Sequence, residues 1–562
     1  MAGLEGLFTF VAAPIDACSP IAGEGAVMGG GSGSGAVDGY GSGGSKGVVG
    51  QTNTNTGNKL SELPIVGWGS RGDSNVGLVL YHNSANDDEG AFGHGWTFSY
   101  SAKIDTAAAV GSTPAHAFVN LPGGLVKNAG GTWTLTMRDG SVMGFDAAGR
   151  LSSLTDRYGN ATTVSRNGTG QVTTVTGADG RQLAFGYTGS KVTSVTDPLS
   201  RVWTFGYTTA KLTGVGYPHV SGGSTPTRSF TYDSLYNILT ETDLVGKVWT
   251  TTYDSSQRQT SWTDPTSRAT SYSYGLGSVT ITLPGTGRTQ VHNYSSGLLA
   301  SVVDEASYSD ARTYDSDRNL AGYTDARGKA WSQTIDSMGN TLTVKNPLLK
   351  TWTYTYTSLN DMATATDPLG HATACTYTGN KLTRVTDALG HDVAQVTYNG
   401  YGDPLTVQDA LGRTTTHTYD SQADRDSVTA PAGVDATYHY DVLGRTDWVK
   451  DHALNQTSLS YDPLGRMTGI TNPGGSGQTL GYDAEGRLTS KQDEIGRTVY
   501  QSYDDAGRPL VATDGNGDTQ KWERRRHRPH RPSRPKHGLH VRRRGALDSH
   551  RPTDLHGCVI HV

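Results

Sequence analysis

Residues 440–490 read YDVLGRTDWVKDHALNQTSLSYDPLGRMTGITNPGGSGQTLGYDAEGRLTS, in which the pairs Tyr440-Asp441, Tyr461-Asp462 and Tyr482-Asp483 recur every 21 residues. Gly465 and Gly486 follow the aspartate by three positions and supply the positive φ of a tight turn. Pro198, Pro265 and Pro368 follow an aspartate in the alternate turn of other units. Each unit therefore reads strand, turn, strand, turn, which is a β-hairpin.

The unit extends far beyond this stretch. Aligned on the tyrosine or its substitute, it recurs at Phe145, Arg166, Tyr187, Tyr207, Tyr232, Tyr253, Tyr274, Tyr294, Tyr314, Ile335, Tyr356, Tyr377, Tyr398, Tyr419, Tyr440, Tyr461, Tyr482 and Tyr503. The intervals are 20 or 21 residues, except for 25 between Tyr207 and Tyr232, where SGGSTP inserts a loop. The full pair is also present as Tyr232-Asp233, Tyr253-Asp254, Tyr314-Asp315, Tyr419-Asp420 and Tyr503-Asp504. A fixed period over so many units marks a structure that is stable only when neighbours stack.

Period-two alternation sets Trp352, Tyr354 and Tyr356 against Thr351, Thr353, Thr355 and Thr357. It likewise sets Trp203, Phe205 and Tyr207 against Val202, Thr204 and Gly206. One face is aromatic and the other Thr-rich. Equivalent tyrosines are expected to form ladders whose contacts stabilise by roughly 0.2–1 kcal/mol each. Roughly 36 strands at ~4.8 Å each would make a flat sheet of ~170 Å. Twisted sheets rarely pass ~10 strands without curling. The predicted fold is all-β: an elongated antiparallel sheet of hairpins coiled into an incomplete hollow shell, with disordered N- and C-terminal segments.

Hydrophobic residues make up 34% of the 562 and charged residues 18%, with 74 glycines, a balance that predicts a thin solvated sheet rather than a thick dry core. Residues 1–50 read as a disordered leader and Gly/Ser-rich linker. Within it Gly43 to Gly47 match a nucleophile-elbow pattern but lack the strand and helix that pattern needs. Residues 51–144 read as a β entry module with Trp68, Phe92 and Trp96 for a small core, residues 145–520 as an array of about 18 units, and residues 521–562 as a basic disordered tail.

The tail carries 12 of the 47 Lys and Arg residues against only Glu523, Asp548 and Asp554. The remaining acidic body suits neither duplex DNA nor an anionic membrane, and the tail lacks the aromatics that stack on bases. Cys18, Cys375 and Cys558 lie far apart, so no disulfide framework or zinc motif can be read from them. No apolar run approaches the ~20 residues that span a bilayer. Glu5 stands where an export signal carries positive charge, and Asp16 breaks a lipoprotein-like stretch at Ile15 to Cys18.

The recurring YD..GR.T..TDPLGR.T signature, seen above and in TATDPLGHATACTYTGNKLTRVTDALGH, resembles the RHS or YD-repeat family. TGNKLSELP, YHNS and FGHGWTFSY, between residues 56 and 100, resemble the segment that precedes the repeats in bacterial members. The resemblance covers residues 51 to about 520. It implies repeats coiled into a hollow β shell that holds a C-terminal polymorphic toxin, used in competition between bacteria or against host cells. The core-closing signature DPxGLxYxRARYYDPxxGRF is not found, and no toxin follows. The tyrosine due at position 524 is replaced by Lys521-Trp522-Glu523-Arg524 and Arg/His/Pro-rich text, which reads as a frameshifted or degraded end.

Little in the chain suggests chemistry. His527, His530, His537 and His540 have no Cys or carboxylate at ligand spacing, so no metal is expected. Asp514, Asn516 and Asp518 mimic the opening of a calcium loop, but Thr519 and Arg525 stand where Gly and Glu are required. The row Asp441, Asp462, Asp483 and Asp504 offers carboxylates for glycan cleavage, yet a catalytic pair is singular, and turn formation explains a residue that every unit repeats. With no zincin or phosphate-loop motif, no cofactor and no enzyme activity are expected. The predicted function is a non-catalytic shell or scaffold that encloses or displays a toxin missing from this chain, secreted or at the cell surface as the resemblance implies. Its partners would be that cargo or a cell-surface glycan, and a monomer is expected. The alternative is a carbohydrate-binding adhesin in which exposed Tyr and Trp stack on sugar rings.

Overall fold

The computed structural model describes residues 51–521, except 53–55, 57, 72–73, 87, 105–123, 219–224, 286, 432 and 434. The leader and its elbow-like motif, the basic tail with its histidines, Cys18 and Cys558 all lie outside the described residues. What is described falls within one compact unit that ends at Lys521.

Every regular element in it is a strand. From Leu125–Lys127 to Leu298–Val303, and again from Ala311–Tyr314 to Thr519–Lys521, each strand pairs antiparallel with the next in sequence. A single bridge, Val303↔Ser309, lies between the two runs. The strands Trp133–Thr136 and Val142–Phe145 already belong to this ladder through Trp133↔Phe145, so the sheet begins ahead of the first aligned unit.

The hairpins carry a built-in bend. On the side of the tyrosine the register slips by one residue, as between Thr252↔Ser261 and Tyr253↔Gln259, or Ser460↔Gly469 and Tyr461↔Met467. The other side runs without a slip in most units, as in Thr240↔Thr250, Glu241↔Trp249 and Thr242↔Val248, although one falls between Val385↔Ala394 and Thr386↔Asp392. A β-bulge bends its strand and adds right-handed twist. Repeated at one end of most hairpins, it turns a ribbon into a coil.

The coil returns upon itself after roughly 200–260 residues. Turns between the Tyr-side strands of the second coil meet the opposite turns of the first: Arg157 pairs with Asp361, Arg181 with Asp424, and Arg201 Nη1 donates to the Pro463 carbonyl at 2.9 Å. Lys247 meets Asp505 at 2.7 Å, and Arg508 donates to Asp264 and Thr266 at 3.2 and 3.1 Å. These contacts progress in step along both coils. Neighbouring turns thus lie edge on edge, as the predicted spiral requires.

The segment 59–104 packs into the first coil. Its strands Lys59–Gly69, Asn75–Asn83 and Trp96–Phe98 form a small sheet with an alternation of buried and open residues that is broken at Val66 and Gly67, beside a register shift. Phe92, Trp96, Phe98 and Tyr100 join Phe185, Trp203, Phe205 and Phe230 in one core. Phe92 meets Phe205 edge-on at 5.0 Å between centroids, and Trp96 meets Phe230 at 5.5 Å. This differs from the thin solvated sheet predicted from composition. The apolar residues are few but concentrated, so the first coil has a dry filling while the rest of the array does not.

One seam of this filling is acid-sensitive. His82 is 1% exposed, its Nε2 lies 3.1 Å from the Tyr236 carbonyl, and burial holds its pKa down to about 4. A freed histidine titrates near its ordinary 6.5. The packed state therefore keeps its full stability above that value and loses it as pH falls toward 4, where the loss levels off at about 3 kcal/mol. Urea midpoints measured across this range are expected to fall with acid in the native chain and to fall less in His82→Gln.

Candidate functional site

The residues of the repeat motif have separate tasks. The aspartate closes its turn: Asp254 Oδ1 accepts the backbone N–H groups of Ser256 and Arg258, both at 2.9 Å, and Oδ2 accepts Arg258 Nε at 2.8 Å. Asp441, Asp462, Asp483 and Asp504 receive the same arginine bond from Arg445, Arg466, Arg487 and Arg508. Asp233 and Asp315 receive it from Asn237 and Asn319, and Asp420 Oδ1 accepts the Gln422 and Asp424 N–H groups. These carboxylates are held by their own turns. Asp514 likewise accepts the N–H groups of Asn516 and Asp518, as an Asx turn does.

The tyrosine joins one hairpin to the previous one. Its hydroxyl donates to a carbonyl that the strand ladder leaves open: Tyr232 to Leu212 at 2.6 Å, Tyr253 to Ile238 at 3.2 Å, Tyr314 to Leu299, Tyr419 to Pro404 and Tyr503 to Leu488 at 2.8 Å, and Tyr461 to Thr446 at 2.6 Å. Burial pushes the Tyr419 hydroxyl up to about 12, and raises Tyr440 and Tyr482 as well. The expected ladder of tyrosine contacts takes a different form. Equivalent tyrosines stand two strands, or ~10 Å, apart, too far for their rings to touch. The turn arginine fills the gap: Arg445 lies over Tyr461 at 4.4 Å, Arg466 over Tyr482 at 5.0 Å and Arg487 over Tyr503 at 5.1 Å. Tyr461→Phe is expected to remove about 1 kcal/mol of stability by orphaning the Thr446 carbonyl, which a denaturant titration would read.

The two faces of the wall are sorted as the alternation predicts. Trp203 and Phe205 are buried while Val202 and Thr204 are open, and Tyr354 is buried between open Thr353 and Thr355. The Thr face carries cross-strand hydroxyl pairs such as Thr334–Thr343 and Thr355–Thr364, both at 2.7 Å. The aromatic face is the one that receives the 59–104 segment, so it is the inner face. Trp249, Trp262, Trp331 and Trp352 continue it along the remaining strands but are only half-buried. On the outer face Trp448 stacks on His439 at 5.2 Å. Sequence reasoning missed the inter-coil ion pairs, whose partners lie more than 200 residues apart.

Among the described residues no cluster of His, Cys, Asp and Glu could hold a metal ion, and no helix is long and apolar enough to cross a membrane. The family described as RHS Repeat matches residues 482–519, which include the Tyr482-Asp483 and Tyr503-Asp504 pairs. An RHS repeat is present at residues 482–519. Solved structures that resemble it include a TcdB2-TccC3-Cdc42 crystal structure, at 13% identity and a TM-score of 0.38 over 81% of this chain. A Photorhabdus luminescens Tc holotoxin pore carrying the TccC3 mutation D651A matches at 12% identity and a TM-score of 0.36, again over 81%. The chain spans about a third of the length of either, 31% and 30%. No curated protein matches it.

Proposed function

We propose that the coil is a non-catalytic wall that isolates a polypeptide cargo, a toxin by family resemblance, from its surroundings outside the producing cell. The observation that carries this reading is the change along the inner face. In the first coil the aromatic side is filled, with Leu183, Val192 and Leu212 fully buried. Beyond Val248 many of the same positions, Trp249, Trp262, Trp331 and Trp352 among them, are half-open, while Tyr354, Met362 and Val385 are buried. A wall whose apolar inner side is half-covered has area left to bury against an unfolded chain. The adhesin alternative needs aromatics outside, where Trp448 stands on His439, but the recurring ones such as Trp203, Trp331 and Trp352 lie on the side that receives the 59–104 segment.

The test is a reporter. A destabilised, unfolded polypeptide of known sequence is appended to the full chain and exposed to protease. Protection that lasts as long as the array is folded supports enclosure. Digestion at the rate of the free reporter overturns it. Trp331→Glu together with Trp352→Glu should shorten the protection by placing charge on the inner wall.

A further inference from the structure

We propose that the chain binds a carboxylate in a cavity where its entry segment and the two coils meet. The cavity has a volume of about 270 Å³, close to the ~300 Å³ at which small-molecule sites begin. Residues 65–69 of the entry segment form one wall, Arg201 and Trp203 of the first coil a second, and residues 443–445 and 464–465 in the tyrosine turns of the second coil a third. Ile65, Leu443 and Leu464 give it apolar surface. Among the described residues, the only ionisable side chains that line it are Arg201 and Arg445.

Three buried donors of this lining have no acceptor within the protein. Trp68 is 9% exposed and Trp203 3%, and the indole Nε1 of each is buried without a hydrogen-bond partner. So is Nη1 of Arg445. Comparable groups elsewhere in the fold are served: Trp96 Nε1 donates to the Tyr232 hydroxyl at 3.0 Å, Arg466 Nη1 to the Asp483 carbonyl at 2.6 Å and Arg508 Nη1 to Asp264 at 3.2 Å. Buried donors are nearly always paired, because the bond lost to water has to be replaced. Three unpaired donors on residues that line one cavity therefore mark a ligand rich in acceptors. Gly465 makes room for it. A Cβ there would stand 3.2 Å from Arg445 Nη1 and 3.4 Å from Arg201 Nη1, so the missing side chain leaves both nitrogens beside one place.

The chemistry of the lining selects the ligand. Indole and guanidinium nitrogens only donate, so water, which brings protons of its own, serves them less well than an acceptor-only oxyanion. The charge balance limits that anion to a single negative charge. Asp197 already holds Arg201 through Nε at 2.7 Å and Nη2 at 2.6 Å, and Asp441 holds Arg445 through the same two nitrogens at 2.7 and 2.5 Å. A phosphate dianion would face two arginines whose charge is already matched, whereas a monocarboxylate needs only the unpaired N–H groups. The aliphatic and indole walls suit an apolar body behind the carboxylate. Two sources carry this chemistry, a free small acid and the carboxylate end of a polypeptide. The site stands whatever the wall encloses.

Proton–nitrogen NMR of the full chain, isotope-labelled at tryptophan, tests the site, because an indole N–H signal reports its own hydrogen bond. The probes are phenylacetate, its uncharged amide, and an N-acetylated tripeptide ending in phenylalanine with a free or an amidated C-terminus. Of the ten tryptophan signals, the two assigned through Trp68→Phe and Trp203→Phe should shift downfield and saturate when a carboxylate is added, and should ignore both amides. Each of those substitutions should weaken binding by about 10-fold, the loss of one hydrogen bond to a charged group. Leu464→Phe, which narrows the cavity and leaves every donor in place, should weaken it too. The remaining indole signals report that each variant is folded. A response to the small acid alone makes the ligand a free acid, and a response to the peptide makes it a chain end; either supports the site. Trp68 and Trp203 signals that stay still with both carboxylates up to ~10 mM, or that move equally with the amides, overturn it.

Discussion

Glu485→Ala is expected to cost about 3–5 kcal/mol, because it takes one of two carboxylates from a buried guanidinium and leaves its Nη2 unpaired between the two coils. Arg228, 8% exposed, donates from Nη2 to both Glu485 oxygens at 2.9 Å and from Nη1 to Glu241. Burial raises the Glu241 carboxyl, and the Arg228 charge counters that rise. Lys59 of the entry segment stands nearby, bonded to Thr251 at 2.9 Å and pushed down to about 8 by burial. One cluster therefore ties three parts of the chain together, and Glu485 is the second coil's contribution. Removing it leaves Arg228 with one carboxylate and takes the acceptor from the Leu244 N–H. Arg228→Met with Glu485→Leu leaves the buried Glu241 carboxylate without its arginine, so this double variant should cost at least as much as Glu485→Ala alone. Denaturant unfolding of the two single variants and the double variant gives the coupling energy. A coupling near zero would mean that the coils do not meet there.

Trp96→Ala is expected to cost about 3–5 kcal/mol as well, through a cavity in the filling of the first coil. Trp96 is 1% exposed and its Nε1 donates to the Tyr232 hydroxyl at 3.0 Å, which in turn donates to the Leu212 carbonyl. His82 packs against it at 5.1 Å between centroids, tilted 63°. The substitution thus breaks a relay from the entry segment through a repeat tyrosine to the sheet. Loss of near-UV ellipticity and faster proteolysis between residues 59 and 104 should accompany the drop in midpoint. Trp96→Phe, which keeps the volume but not the N–H, should fall between the two.

Much of this was legible in the repeat itself. The Tyr-Asp spacing gave the hairpin, the glycine gave its turn, and the alternation at Trp352 to Thr357 gave the two faces, because each is a local consequence of backbone geometry. The roles of Asp254 and its equivalents followed from their recurrence. What was hidden depends on the third dimension. Nothing near Arg181 in sequence points to Asp424, and nothing in YDAEGR marks Glu485 as the clasp of a second coil. The packing of Phe92 and Trp96 against Phe205 and Phe230 was equally hidden, since an aromatic on a strand does not announce which surface covers it. The bulge beside most of the repeat tyrosines, which makes the sheet coil, is written in the same letters as an ordinary turn.

The central claim is that successive coils of one sheet lie edge on edge. Spin labels at Gln182 and Gln422 test it directly, because both residues are exposed and line the cleft beside the Arg181–Asp424 pair. Pulsed dipolar spectroscopy on the labelled full chain should return a single short separation, about 20–30 Å with the label arms. A sheet that did not coil back would place the two sites roughly 110 Å apart, at ~10 Å per hairpin, and a distance in that range would contradict the coil.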